Sequence, residues 1–329
     1  MTIRFGSLGC GRIVGRGLLP GMKASKRAVL HALASERPGV AKDVAATNGV
    51  PKAYDSYEAL LADPEIDAVY VPCTGDQHRH WTIAAARAGK HVLCEKPLAM
   101  TVAEADEMST ACLRAGVILQ EAFMWRHHPR TKLAKKLVSE GAIGELRLIN
   151  ANFSFNIDRN DWRLKPERGG GAMWDVGCYG VNCARHFTGA EPEHVYSRAH
   201  WWETGVDMTM QIALSFPGDV LANIDCSFEA PYRCHAELVG TKGRIVLEQA
   251  FLPPAGTPLL ITRSTEWEGA SGTDPFERIE VPHANEFGEE IDDFCRSIEA
   301  GKLLEPAEDG VNNMRALEWV METARMQPK

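Results

Sequence analysis

The run Gly6-Ser7-Leu8-Gly9-Cys10-Gly11-Arg12-Ile13-Val14 constrains this chain more than any other stretch. It joins an apolar run over residues 3–8, which reads as a strand, to a segment beginning near Gly11 that reads as a helix. Gly9 permits a tight turn, Gly11 lets phosphates approach the backbone, and the start of the helix carries positive partial charge. Between strand and helix, such a turn is a dinucleotide fingerprint, with Gly9, Gly11, Arg12 and Ile13 as candidate contacts. Val14 departs from the pattern, since glycine or alanine usually stands there, and Gly15 is expected to take over through a small shift. Pro20 falls inside the helix and predicts a kink or an early end.

Strand-like runs at 3–8, 29–34, 68–72, 91–94 and 117–121 alternate with helical stretches at 56–62, 81–88 and 102–115. That alternation predicts an N-terminal Rossmann domain over residues 1–122, a parallel sheet covered by helices. From about residue 145 the pattern becomes strands at 146–155, 208–216, 220–228, 235–239 and 244–248, with edge strands at 259–263 and 279–282. Pro217-Gly218-Asp219, Ala230-Pro231 and Gly240-Thr241-Lys242-Gly243 read as turns pairing successive strands antiparallel. Helices at 286–300 and 305–326 close the chain. The fold class is therefore α/β, with an α+β domain over 123–329 built on a large, mostly antiparallel open sheet. A length of 329 residues suits two such cores.

Composition excludes several partners. Thirty-six basic against 44 acidic residues give a net charge of −8, which disfavours nucleic acid. The opening MTIRFGSLG has no charged-then-apolar leader, and no stretch reaches about 18 uncharged apolar residues, so neither export nor membrane insertion is expected. Nine cysteines without a CxxC fit reduced thiols in a cytoplasm.

After the second strand come Ser35, Glu36 and Arg37. An acidic residue there would hold the ribose hydroxyls of NAD, and an arginine would accept the extra phosphate of NADP. Ser35 where aspartate would repel phosphate, with Arg37 nearby, favours NADP; Glu36 keeps NAD open. Glu95, Lys96 and Pro97 follow the strand at 91–94, on the carboxyl edge where open α/β sheets bind ligands. Thr74, Asp76 and His78 follow the third predicted strand and are expected to face the cofactor, although His78 equally suits a helix cap.

The run Gly169-Gly170-Gly171-Ala172-Met173-Trp174-Asp175-Val176-Gly177-Cys178-Tyr179 reads as flexible glycines feeding a helix. Asp175 and Tyr179, four apart, share a face, while Met173, Val176 and Val181 form an apolar stripe turned to the core. The tyrosine reference pKa is about 10, and a nearby ammonium would lower it. Trp125, Arg126, Asp158, Trp162 and Arg163 are candidate substrate contacts, because a tryptophan face among hydrogen-bonding neighbours suits a sugar ring. Trp201-Trp202 reads sooner as core or subunit interface. Cys178, Cys183 and His186 lack a fourth partner, so no metal site is expected.

The glycine-rich opening, Glu95-Lys96-Pro97 and Gly169 to Tyr179 together resemble the glucose-fructose oxidoreductase, inositol dehydrogenase and rhizopine-catabolism family, Gfo/Idh/MocA. Tyr179 with its glycine lead-in, and Glu121 to Trp125 with His128-Pro129, resemble the xylose dehydrogenase and dihydrodiol dehydrogenase subgroup. The resemblance implies that Lys96 lies beside the nicotinamide ribose and polarises the reacting oxygen, that Tyr179 relays the proton, and that Asp175 orients substrate or lysine. It implies oxidation of an aldopyranose at its anomeric carbon to the lactone; reduction of a ketosugar or dicarbonyl sugar is the alternative within the class. A non-catalytic cofactor-sensing regulator is the alternative outside it. Family likeness further implies a homodimer or homotetramer through the C-terminal sheet, whose uncovered face would otherwise expose an apolar patch.

Overall fold

The computed structural model describes residues 2–263, 276–304 and 309–326. Its first sheet has strands β1 Ile3–Leu8, β2 Ala28–Ala34, β3 Lys52–Tyr54, β4 Ala68–Val71, β5 His91–Glu95 and β6 Leu119–Ala122. They lie in the order β3-β2-β1-β4-β5-β6, all neighbours parallel. The order reverses between β1 and β4, so the loops leaving these two strands diverge and open a crevice at their carboxyl ends. Ala68, Val69, Tyr70 and Val71 are all buried, as a strand covered on both faces requires. Only β3 was not legible, being three residues long with no buried position.

The connecting helices are α1 Leu19–Ala24, α2 Val40–Asn48, α3 Tyr57–Leu61, α4 Gly75–Arg87 and α5 Val102–Ala115. Later helices are α6 Pro129–Ser139, α7 Cys178–Thr188, α8 Glu286–Ala300 and α9 Asp309–Met326. Residues 305–308 of the helix expected at 305–326 lie outside the described residues. The interruption expected from Pro20 takes the form of a π turn over Val14–Leu18, closed by the Leu19 amide on the Val14 carbonyl. Pro20 then stands in the first turn of α1, where an amide hydrogen is dispensable.

The chain divides into two compact units, residues 1–127 with 285–314, and 128–284 with 315–329. The expected single cut at 122/123 misses this return. Its cause is the core of the first unit, in which Ile291, Phe294 and Cys295 of α8 pack with Phe5, Leu18, Met22, Leu33 and Leu93. Phe294 is fully buried, with its ring 5.9 Å from that of Phe5, and burial of this kind contributes about 2–3 kcal/mol. Asp292 accepts hydrogen bonds from Ser25 Oγ at 2.6 Å, Lys26 N at 3.1 Å and Arg27 N at 3.2 Å, closing the turn from α1 into β2.

The second unit carries β7 Leu146–Ser154, β8 His194–Trp201, β9 Asp207–Phe216, β10 Val220–Ser227, β11 Arg233–Gly240, β12 Gly243–Glu248, β13 Leu259–Thr262 and β14 Glu277–Ile279. Their order is β14-β13-β12-β11-β7-β10-β9-β8, antiparallel except at β7–β10. The hairpins at Pro217-Gly218-Asp219 and Gly240 to Gly243 form as expected. Ala230-Pro231 does not make one. Ser154 pairs with both Ser227 and Arg233, so the segment crosses the end of β7 and places β11 on its far side. Ser154 Oγ donates to the Pro231 carbonyl at 2.7 Å and fixes that crossing. The edge strand β14 falls before the expected 279–282, and β8 was missed because its exposed positions, His194, Tyr196, Arg198 and His200, alternate with no continuous apolar face.

Helix α7 covers one face of this sheet. Gly177 and Gly180 bring it close, since a Cβ on Gly177 would lie 2.8 Å from Cys226 Sγ and one on Gly180 would overlap Ile224. The opposite face mixes apolar and polar rows: Leu221, Leu148 and Val239 line up across β10, β7 and β11, with Leu221 53% exposed. Gln211, Asp225, Asn152 and His235 form one row across it, and Asn223, Asn150 and Glu237 the next. Asn150 Nδ2 donates to Glu237 at 3.1 Å, and Arg233 forms a bidentate pair with Asp225 at 2.7 and 2.9 Å. The side chains alternate, so the fully buried apolar residues lie on the α7 face and the outer face keeps both kinds.

Candidate active site

The glycine-rich turn leaves β1 at the sheet's reversal. Gly9 has φ +144°, and a Cβ there would meet Pro72 Cγ at 3.2 Å; only glycine fits both conditions. Around Gly11 the corresponding space is open, so the backbone offers a cradle for a pyrophosphate. Arg12 is exposed and Ile13 half-buried at the helix start. Val14, 1% exposed, belongs to the core, so this helix packs through a larger residue, and Gly15 is exposed and takes no part in it.

Ser35 is buried and its Oγ accepts from Arg37 N at 3.2 Å, which leaves Glu36 and Arg37 as the exposed groups after β2. Both reach toward the turn. Burial, helped by the Glu36 charge, pushes the Cys73 thiol up to about 12, whereas Arg37 opposes the burial effect on Cys10. An arginine and a glutamate therefore flank the same mouth.

At the end of β5, Glu95 accepts from the Tyr70 hydroxyl, and Lys96 is half-buried ahead of a cis peptide to Pro97. Leu98 N donates to Glu121 at 2.8 Å. His78 corrects its expectation: it is 2% exposed and lies among backbone carbonyls rather than facing a cofactor. Its Nδ1 is 3.0 Å from Pro97 O and 3.2 Å from Leu98 O, and its Nε2 is 2.9 Å from Cys73 O. It clasps the loop carrying Lys96 to the loop after β4. Burial pushes its pKa below the usual histidine range. Thr74 Oγ1 is turned to Asp76 at 2.5 Å on the more open side of that loop.

In the second unit the glycine run is tightly packed, not flexible. A Cβ on Gly170 would lie 2.7 Å from Lys165 O, and one on Gly171, at φ +121°, would overlap Asp207 Oδ1. A π turn over Met173–Gly177 leads into α7. Met173, Val176 and Val181 are buried as the stripe required. Tyr179 is also buried, at 5% exposure, its ring 5.5 Å from Phe153 and 5.2 Å from Phe251. The expectation that it looks openly into a cleft is thus corrected: an aromatic shelf holds the ring.

Asp175 accepts from Arg163 Nε at 2.8 Å. Arg163 also reaches Asp161 at 3.3 Å and stacks on Trp162 at 4.7 Å, so Asp175, Trp162 and Arg163 form one cluster. Asp158 is exposed and accepts from Asn160 N at 2.8 Å. Trp125 is 0% exposed, which removes it as a substrate contact, and Arg126 is ion-paired to Asp309. Trp202 lies under the Arg159 guanidinium at 4.8 Å.

Two residues in this region escaped sequence reasoning. Arg130, fully buried, donates to Glu248 O at 2.7 Å and Gln249 O at 3.1 Å, and holds the turn that carries Phe251 under Tyr179. Burial lowers its pKa to about 10. Asp207, also fully buried, accepts from Met173 N at 2.6 Å. Both act across long sequence separations, where no local pattern marks them.

Residues 3–123 match the model of an oxidoreductase family with an NAD-binding Rossmann fold, and residues 131–246 match the GFO/IDH/MocA C-terminal domain. The chain is 36% identical to a D-xylose 1-dehydrogenase (NADP(+)) of Haloferax volcanii, covering 97% of each. It is similar to the structure of an aldose-aldose oxidoreductase from Caulobacter crescentus complexed with glycerol, with TM-score 0.90 and 28% identity over 99% of this chain and 98% of that one. It is also similar to a 3-ketoreductase from Actinomadura kijaniata in complex with NADP and TDP-benzene, with TM-score 0.88 and 31% identity over 98% of each. With relatives that are dehydrogenases and reductases, the non-catalytic reading falls away. A dinucleotide cradle at the β1–β4 reversal and family matches to both halves make the chain a member of the Gfo/Idh/MocA oxidoreductases, enzymes with an NAD-binding Rossmann domain.

Proposed function

We propose that the protein is an NADP-preferring sugar dehydrogenase that oxidises an aldopyranose at the anomeric carbon to the lactone. The observation that carries this is Lys96 on the carboxyl edge of the parallel sheet, in a loop braced by His78 and Glu121 beside the Gly9–Ile13 turn's end of the fold. Support comes from the xylose dehydrogenase, whose full length this chain matches. The open space at Gly11 and the exposed Arg37 suit a phosphorylated dinucleotide, held by Gly9, Gly11, Arg12, Ile13, Ser35, Arg37, Thr74, Glu95 and Lys96.

When bound, the nicotinamide supplies the hydride acceptor. The Lys96 ammonium donates a hydrogen bond to the sugar oxygen and stabilises negative charge on it, and Tyr179 Oη receives and passes on the proton. Asp175 and Arg163 orient the ring hydroxyls, and the face of Trp162 packs on the sugar. One set of groups serves both directions, so reduction of a ketosugar is the second reading, favoured by the likeness to the ketoreductase.

An aldose panel with NADP, followed by absorbance of the reduced cofactor, tests the proposal; cofactor binding without turnover on any sugar refutes it. Lys96→Ala and Tyr179→Phe should each lower kcat/KM at least about 100-fold, or about 2.7 kcal/mol of transition-state stabilisation. The proposed setting is cytoplasmic, in keeping with nine free thiols. The proposed assembly is a homodimer or homotetramer joined through the polar rows of the C-terminal sheet, and sedimentation at a monomer's mass in low and high salt would count against it.

A further inference from the structure

Tyr179 acts from a helix, so whatever fixes the start of that helix fixes the phenol. Met173 opens the helical run that reaches Tyr179, and its amide is one of the donors a helix start leaves without an intrahelical partner. Asp207, at the first position of β9 and 0% exposed, accepts that amide at 2.6 Å. Its other oxygen, Oδ1, is buried with no hydrogen-bond partner among the described residues and lies where a Cβ on Gly171 would stand. One carboxylate thus holds the first amide of the helix and fills the space that keeps position 171 a glycine.

We propose that Asp207 is a positioning residue for the hydride-transfer reaction, setting through the Met173 amide and Gly171 the place from which Tyr179 works. This rests on the role given to Tyr179 above. A carboxylate at a helix N-terminus is favoured by the helix dipole, and its bond to the amide is charge-assisted. Protonation removes the charge and leaves a neutral carbonyl oxygen on the amide, the same kind of acceptor that an asparagine offers. The titratable groups that act on it are Arg325 on α9 and, across from it, Cys226 on β10. Burial dominates among these influences, Arg325 partly opposing it, and raises the Asp207 pKa to about 6.

Asp207→Asn keeps an acceptor for the Met173 amide and removes the titration; Asp207→Ala removes both. The expected result is that kcat of the parent enzyme falls by no more than about threefold below about pH 6, toward the Asp207→Asn value, at unchanged KM. Asp207→Asn should stay within about threefold of the parent at pH 7.5 and lose that acid limb, while Asp207→Ala should lose at least about thirtyfold in kcat. An acid limb unchanged in Asp207→Asn overturns the proposal, as does full kcat in Asp207→Ala. Melting temperature against pH, read without substrate, separates this from the proposed reaction. The difference between parent and Asp207→Asn should vary between pH 5 and 7, and a constant difference also overturns the proposal. If Tyr179→Phe retains full turnover while this difference varies, the role of Tyr179 fails and the cap stands.

Discussion

His128 shows how one buried ring ties stability to pH. It caps α6, its Nδ1 accepting from Arg130 N at 3.1 Å, which requires that nitrogen to be unprotonated. Burial, with the Arg130 charge adding to it, lowers its pKa to about 4. A depressed base binds fewer protons in the folded state, so its stability is present above the unfolded value of about 6.5 and is lost as pH falls toward 4, by up to ~3 kcal/mol. Asp207 has the opposite sign. Its raised pKa makes stability fall as pH rises from 3.8 to about 6. His128→Asn, which keeps a cap, should flatten the decline between pH 6.5 and 4 in urea unfolding; an unchanged decline would assign it to other groups. At this scale the turn at Gly9 was legible because local chemistry marks it, and Lys96 stands where the strand pattern placed it, at the end of β5. The cradle needs a glycine, and a lysine before proline at a strand end stands out. His78 and Trp125 were misread because exposure depends on residues far along the chain, and only folding showed both buried.

Elements form largely from local pattern, but their spacing is set by single atoms at crossings. α7 lies on β10 through Gly177 and Gly180, and α1 meets α8 through Gly21, where a Cβ would lie 2.7 Å from Phe287 Cβ. Gly180→Ala should cost about 1–3 kcal/mol by overpacking against Ile224 and should lower kcat by shifting Tyr179. Adding Ile224→Ala should return part of that loss in denaturant unfolding; strict additivity would mean that the two sites do not touch. The periodic strands and α8 at Glu286–Ala300 were visible beforehand because apolar spacing reports a buried face directly. The π turns at Val14–Leu18 and Met173–Gly177 were not, since they arise where a proline or a tightly packed glycine run forces one extra residue into a turn.

For the whole molecule, ligand linkage is the most direct check. NADP that binds the folded chain alone should add about 2.7 kcal/mol at a hundred times its Kd, a rise of roughly 5–11 °C in melting temperature for domains of this size. NAD at the same concentration should add less, and the reverse order would transfer the assignment at Ser35 and Arg37 to Glu36. The sequence alone determined the parallel dinucleotide fold, the open sheet after it and the turn at Gly9–Ile13, because strand alternation, helix period and turn chemistry are short-range signals. Tertiary structure decided the return of α8 into the first core, the insertion of β7 between β10 and β11, the mixed outer face, and the burial of Asp207 and Arg130. Each of these depends on contacts between residues distant in the chain, and such a contact leaves no local periodicity: its energy exists only once both partners have left water together.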